Sequence, residues 1–297
     1  MKNRKSKIKN KNGKLFNTIA IVGVGLIGGS IGLAVKKRKL ADKVIGLGRS
    51  ELSLKKALKK KAVDEISLDK SKVKDADLVI LAVAVSKIIP LIKELLPHLK
   101  EGTIITDVGS TKKKIMDEME KTLPSNVCFI GGHPLSGSEK SGVEFADADL
   151  FKKSICFLIP GNNIKTEESL RKLKSFWKAL GARTIMISSD EHDFIVAGVS
   201  HLPHIVAVAL VNSVSGVSWG NKKITEFSGQ GWRDTTRISR GSPEIWVDIF
   251  SSNRNKLLLF MKKFEKEWKI IKRSLEKKDF QKLKRALEQA ANKLHSP

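Results

Sequence analysis

Through residues 18–188, short apolar runs alternate with longer stretches whose apolar residues recur every three or four positions. The runs are "TIAIVG", "KVIGLG", "ADLVILAVAV" (76–85), "GTIITDVGS", "NVCFIGG", "SICFLIP" and "ARTIMIS". Each reads as a strand buried on both faces. The stretches between them predict helices: "GGSIGLAVKKRKL", "SELSLKKALKKKAV", "IIPLIKELLPHLK" with Pro90 in its first turn, "TKKKIMDEMEKTL", and "EESLRKLKSFWKALG" ending at Gly181. Strand–helix alternation implies a mostly parallel sheet covered by helices on both faces.

The pattern changes after residue 187, and no further strand is expected. "SSDEHDFIVAGVSHLPHIVAVALVNSV" opens with Ser188 and Glu191 at capping-box spacing and meets a kink at Pro203. It is apolar nearly all round, which predicts a helix buried on most sides, in a core or a subunit interface. "SPEIWVDIFSSNRNKLLLFMKKFEKEWKIIKRSL" and "DFQKLKRALEQAANKL" read as amphipathic helices. The chain thus divides into an α/β unit over 15–187 and an all-α unit over 188–297. Residues 1–14 are basic without one acid and have almost nothing to bury, so they read as a disordered tail.

Residues 15–35 carry no charge and follow that basic start, as a signal peptide or membrane anchor would. Glycines at 23, 25, 28, 29 and 32 argue against such a helix, and no small-residue cleavage site closes the run. Their spacing includes Gly23, Gly25 and Gly28 as G-x-G-x-x-G, after a strand and opening a helix. That is the context in which the motif binds a dinucleotide. The first glycine allows a tight turn, the second lets backbone approach a pyrophosphate, and the third lets helix pack on strand. An acid commonly stands about 20 residues on to bond the ribose hydroxyls. Here the second strand ends in Gly48, Arg49 and Ser50, with no carboxylate at its tip. An arginine there can accept a 2′-phosphate, which brings NADP into consideration beside NAD.

Composition changes this picture little. The 56 Lys+Arg against 31 Asp+Glu give a net charge of +25, which would suit nucleic acid or an anionic small molecule. The lysines are scattered rather than gathered into a stripe with interleaved aromatics, so no specific nucleic-acid partner is expected. Cys128 and Cys156, the only cysteines, form no metal or redox spacing and read as reduced, buried thiols of a cytoplasmic protein.

Four further segments carry chemistry. "DVGSTK" (107–112) leaves a strand at the sheet edge where ligands gather, and its Ser110 reads as a helix N-cap, a group beside a nicotinamide, or both. "FIGGHPLSGSEKSGVEF" places His133 at the same edge, where a neutral imidazole with an ordinary pKa of about 6.5 is a natural base. "HDFIVAGVSHLPH" holds His192, His201 and His204. The last two share a helix face, but no carboxylate joins them at helical spacing, so no metal site is assigned. In "GQGWRDTTRISRGSPEIW", Arg233, Asp234, Arg237, Arg240 and Trp246 cluster in a chain that otherwise favours lysine. A guanidinium grips a carboxylate bidentately; the alternative is a surface salt-bridge cluster.

Taken in order, G-x-G-x-x-G-G-S, D-x-G-S-x-K, G-G-H-P-x-x-G-x-E-x-S-G, then H-D followed by S-H-L-P-H, and R-D-x-T-R-I-S resemble the prephenate/arogenate dehydrogenase family of tyrosine biosynthesis, over about residues 17–250. The resemblance implies an N-terminal Rossmann-type dinucleotide-binding domain, an all-α C-terminal dimerisation domain, a homodimer, and an active site between the domains. It implies NAD(P)-dependent oxidative decarboxylation of prephenate to 4-hydroxyphenylpyruvate, with arogenate giving tyrosine as the alternative. His133 would take the ring-hydroxyl proton and Ser110 would orient His133 or that hydroxyl. Arg237 would hold a carboxylate of this small dicarboxylate substrate, with Asp234 supporting or gating it and His204 and Trp246 lining the pocket. Gly23, Gly25, Leu26, Ile27, Gly28, Arg49, Val83, Asp107 and Gly109 would contact the cofactor. The resemblance favours NAD; Arg49 and the missing acid at position 48 leave NADP open. Rival readings are another dehydrogenase of similar layout, such as one acting on β-hydroxyacids through a lysine, and a basic nucleic-acid-binding module.

Overall fold

The apolar runs pair into one sheet in the computed structural model, which describes residues 10–161 and 166–295. Its elements are β1 (Phe16–Val22), α1 (Leu26–Lys37), β2 (Ala41–Leu47), α2 (Glu51–Lys59), β3 (Glu65–Ser67), β4 (Leu78–Leu81), α3 (Val85–Leu95), β5 (Ile104–Asp107), α4 (Lys113–Thr122), β6 (Cys128–Pro134), β7 (Ile155–Pro160), α5 (Thr166–Leu180) and β8 (Arg183–Met186). Strand order is β3-β2-β1-β4-β5-β6-β7-β8. Every pairing is parallel except β6 with β7, where Gly132 faces Leu158 and His133 faces Phe157. The chain leaves β1 in one direction for β2 and β3, then crosses to β4 on its other side. That reversal opens a crevice beyond the strand ends, between β1 and β4.

Alternation along β1 divides the core. Ile19 and Ile21 pack with Ile31, Val35, Leu54 and Trp177 on the α1, α2 and α5 face. Ala20 and Val22 pack with Ile88, Ile92, Ile115 and Met119 on the α3 and α4 face. Successive strand side chains point to opposite faces, so an uninterrupted apolar run serves both layers.

After β8 come α6 (Ser189–Val196), a π turn (Ala197–His201), α7 (Leu202–Val214), α8 (Gln230–Thr236), α9 (Pro243–Ser252), α10 (Arg254–Glu276) and α11 (Phe280–His295). The expected capping box is present: Ser188 Oγ accepts from the Glu191 amide at 3.2 Å, and Glu191 accepts from the Ser188 amide at 2.8 Å. Gly181 takes φ +98° just past α5, as its expected place after the helix requires.

Several expectations need correction. The run 76–85 is a strand only over Leu78–Leu81, and α3 starts at Val85, so Pro90 lies inside the helix rather than in its first turn. Asp248 of α9 accepts from the Ser86 amide at 2.9 Å and anchors that earlier start. The stretch 242–275 is two helices, because Asn253 turns its side chain inward and breaks the run with φ −116° and ψ 27°. Strand does recur after 187, as a two-residue hairpin pairing Ser218–Trp219 with Lys222–Lys223 around Gly220 at φ +58°. In the basic segment, residues 1–9 lie outside the described residues, while 10–14 form a turn instead of a free tail. There Asn10 Nδ2 donates to Asp42 at 2.9 Å and Lys14 pairs with Asp42 at 2.8 Å.

The run Ser189–Val214 is 26 residues long and holds an 18-residue window of mean hydropathy 2.0, long and apolar enough by length and composition to cross a membrane. Within one chain it is not buried on most sides. Of α7 only His204 and Ala207 are buried, and Val199 in the π turn is 68% exposed.

Candidate active site

The C-terminal ends of β1, β4, β5 and β6 converge on the crevice, and each delivers a piece of the site. After β1, Gly23 takes φ +93°, and a Cβ there would strike the Ala82 carbonyl and come within 2.9 Å of Val83 Cγ1. A Cβ on Gly28 would strike the Gly23 carbonyl. Both glycines are therefore demanded by close packing of β1, α1 and the β4 exit. Gly25 differs, because nothing lies within 4 Å of its missing Cβ. It caps α1, whose first amides meet no capping side chain and whose first turn, opening on Leu26 and Ile27, has no acid. A bare helix N-terminus above open glycine backbone suits a pyrophosphate.

That backbone borders a cleft of about 730 Å³ lined by Gly23, Gly25, Gly48, Arg49, Ser50, Ser53 and Lys56, among others. Its one carboxylate, Glu144, is held by Lys56 at 2.5 Å. Arg49 is exposed at the rim, where the tip of β2 meets the start of α2. The residues present fit a dinucleotide.

The Asp107 side chain is fully buried against the ammonium of Lys112, which is buried too. It also accepts from the amides of Gly109 at 2.9 Å and Gly132 at 3.1 Å. The carboxylate thus ties the β5 exit to β6. Ser110, half-buried in the same loop, does not cap α4, and its hydroxyl makes no hydrogen bond among the described residues. The α4 amides are taken from across the fold. Asp193 of α6 accepts from the Lys112 amide at 2.7 Å and the Lys113 amide at 3.0 Å.

His133, 9% exposed near the end of β6, places Nδ1 2.8 Å from His192 Nε2. His192 Nδ1 in turn lies 2.7 Å from Asp193 Oδ1. The hydrogen-bond partner of His133 Nδ1 is thus His192, and Ser110 makes no bond to that ring. Burial above all, and then the charges of His192, Lys112 and His201, push the His133 pKa well below 6.5. Burial does the same to His201, bringing it to about 4. Both rings are neutral at physiological pH, and His133 Nε2 makes no hydrogen bond among the described residues.

On the helical side, His204 is buried and stacks on Trp246 with ring centres 3.6 Å apart and planes 20° from parallel. Its Nδ1 is buried and has no hydrogen-bond partner among the described residues. Arg237 is exposed, and its guanidinium donates to Glu139, in the loop after β6, at 3.3 Å. Asp234 accepts from Gln230 at 2.7 Å and makes no bond to Arg237. The structure buries His133 and His204, stacks Trp246 on His204, and brings Arg237 to the β6 loop through Glu139. Asp193, Lys112, Glu139 and Asn253 carried no assigned role in the sequence, and His192 was noted only as one histidine of three. The adjacent His-Asp pair at the start of an apolar helix was the one available signal.

The family model described as "Prephenate dehydrogenase, nucleotide-binding domain" matches residues 31–186, and "Prephenate dehydrogenase, dimerization domain" matches residues 188–289. The chain belongs to the prephenate dehydrogenase family. A prephenate dehydrogenase of Bacillus subtilis is 37% identical over 273 residues, which cover 91% of this chain and 73% of that protein. The crystal structure of prephenate dehydrogenase from Aquifex aeolicus, in complex with hydroxyphenyl propionate and NAD+, superposes with a TM-score of 0.85 at 32% identity, covering 93% of this chain and 96% of that one. Synechocystis arogenate dehydrogenase superposes with a TM-score of 0.78 at 29% identity, covering 93% and 98%. This chain is accordingly an oxidoreductase of the prephenate dehydrogenase family, with a Rossmann-like sheet domain and a helical domain of the dimerisation type.

Proposed function

We propose that the protein catalyses oxidative decarboxylation of prephenate to 4-hydroxyphenylpyruvate, with His133 as the base. The observation that carries this is a neutral, buried imidazole at the cofactor edge, tethered through Nδ1 and free at Nε2. Oxidised nicotinamide, when bound, supplies the hydride acceptor. His133 Nε2 takes the proton of the C4 hydroxyl as that carbon is oxidised. When the bond from C1 to its carboxylate breaks and carbon dioxide leaves, the electrons reach the C4 oxygen as the ring becomes aromatic, and His133 returns the proton to it. Ser110, with an uncommitted hydroxyl, fits the hydroxyl side of the ring. Arg237 is the carboxylate clamp, released from Glu139 when substrate arrives, while the His204–Trp246 stack walls the pocket. Asp234, bonded to Gln230, steadies the helix from which Arg237 follows.

The cofactor reading is NAD+ with tolerance of NADP+. The Aquifex relative holds NAD+; here Arg49, Ser50 and Ser53 rim the cleft, and its only carboxylate is already paired. Gly23, Gly25, Leu26, Ile27, Gly28, Val83 and Gly109 are the proposed backbone and apolar contacts. Division at residue 187 is supported by the matched spans 31–186 and 188–289. The bare apolar residues of the π turn and α7 support a homodimer through the helical domain, and buried Cys128 and Cys156, which form no disulfide, suit the cytoplasm.

The test is formation of reduced nicotinamide by purified protein, with prephenate and arogenate each crossed with NAD+ and NADP+. Turnover of prephenate with NAD+, and with NADP+ at a KM within about tenfold, is expected. Turnover of arogenate alone would replace the substrate, and a KM for NADP+ more than about a hundredfold higher would remove the role of Arg49.

A further inference from the structure

Three polar side chains stand in line behind His133: its own Nδ1, then His192, then Asp193. Both bonds of the line are short, at 2.8 and 2.7 Å, and His192 and Asp193 are 0% and 2% exposed. The line joins two parts of the fold, since His133 belongs to β6 and the other two to α6. We propose that His192, held by Asp193, is the positioning residue that fixes His133 in the tautomer with a bare Nε2 and shares the charge His133 gains during turnover. This rests on the base role of His133 proposed above.

Counting donors and acceptors places each hydrogen along the line. Burial pushes the Asp193 carboxyl up, but the bonds from His192 and from the Lys113 and Lys112 amides outweigh it and hold its pKa below the ordinary value. Asp193 is therefore ionised and only accepts. His192 Nδ1 must then carry the hydrogen, which leaves His192 Nε2 as an acceptor. His133 Nδ1 must donate to it, so the neutral His133 ring has its lone pair on Nε2. Each assignment forces the next, and none relies on a bound molecule.

The neighbours keep the line rigid. The Asp193 main-chain oxygen accepts from Asn253 Nδ2 at 2.7 Å, and the same nitrogen lies 3.3 Å from His201 Nδ1. Phe157 meets the His192 ring edge-on, with centres 5.5 Å apart. The charged groups facing the line are Lys112 and Asp107, already paired with each other, so Asp193 is the anion left for the histidines. When His133 takes a proton at Nε2, its Nδ1–H can move onto His192 Nε2. The positive charge then sits beside the Asp193 carboxylate, in a region where burial disfavours an isolated imidazolium.

The experiment uses the full-length protein and two substitutions. His192→Leu removes the acceptor; His192→Gln keeps it, since an amide oxygen can accept from His133 and its nitrogen can donate to Asp193. His192→Leu should lower kcat for prephenate about 10²- to 10³-fold with KM changed less than about threefold, and His192→Gln should recover kcat to within about tenfold of wild type. Isotope-labelled nitrogen NMR of the wild-type protein should show His133 protonated at Nδ1 and bare at Nε2. Equal losses in the two variants, no loss in His192→Leu, or a hydrogen on His133 Nε2 in the wild type would each overturn the proposal. If His192→Leu does not fold, the wild-type spectrum and His192→Gln still decide it. Inactive His133→Asn beside fully active His192→Leu would sink this proposal alone, whereas active His133→Asn would sink the base reading beneath it.

Discussion

The base proposed for this site is set by where His133 is buried and by what holds its other nitrogen. Burial first, then the charges of His192, Lys112 and His201, disfavour protonated His133. The base form therefore persists below the usual histidine range. Turnover needs Nε2 bare, so kcat falls as pH drops through this depressed pKa. A plot of log kcat against pH should bend downward only well below pH 6.5; a bend at or above 6.5 would contradict the burial argument. Arg237 makes a second residue-scale case. A lysine keeps its charge but loses the two-pronged grip, so Arg237→Lys should raise KM for prephenate about 10- to 100-fold with a smaller change in kcat. An unchanged KM would take Arg237 out of the carboxylate site. His133 and Arg237 stood out as candidates in the sequence because histidine beyond a strand and arginine in a lysine-rich chain are both specific choices. The partner of Asp107 was not legible, because only the fold shows Lys112 buried against it.

Among the elements, α1 shows how sequence spacing becomes packing. A Cβ on Gly32 would strike the main-chain oxygen of Ala62, and backbone cannot swing aside as a side chain does. Gly32→Ala should therefore destabilise the protein by about 1–3 kcal/mol despite alanine's better helix propensity, lowering the thermal midpoint. An unchanged or raised midpoint would mean α1 and the Ala62 turn are not in contact. The sheet and its flanking helices were legible because buried parallel strands leave apolar runs. What could not be read was set by contacts distant in sequence. Asp248 fixes the start of α3 from α9, and Asn253 splits one amphipathic run in two to reach Asp193 and His201. Asp193 replaces the local cap that Ser110 offered α4. The hairpin at Ser218–Lys223 has strands too short to leave a pattern.

For the whole molecule, the unresolved demand is the apolar surface of the helical part. Phe194, Ile195 and Val199 are 43%, 36% and 68% exposed along α6 and the π turn, on the segment whose other side supplies His192, Asp193 and His201 to the site. Covering a large apolar side chain stabilises by roughly 1.5–3 kcal/mol, so a second copy seated on this face would be well held. Sedimentation at micromolar concentration should give twice the single-chain mass, and Val199→Glu should shift it toward one chain. A single-chain mass for the wild type would contradict the dimer. The charge of +25 adds no site of its own at this scale. It gives an anionic substrate and cofactor a favourable long-range field.

The account stands or falls on His133. The most direct measurement is kcat for prephenate with saturating cofactor, in wild type and His133→Asn. A loss of roughly 10²- to 10⁴-fold with little change in KM is predicted. Equal turnover in the two proteins, or a loss confined to KM, would contradict it.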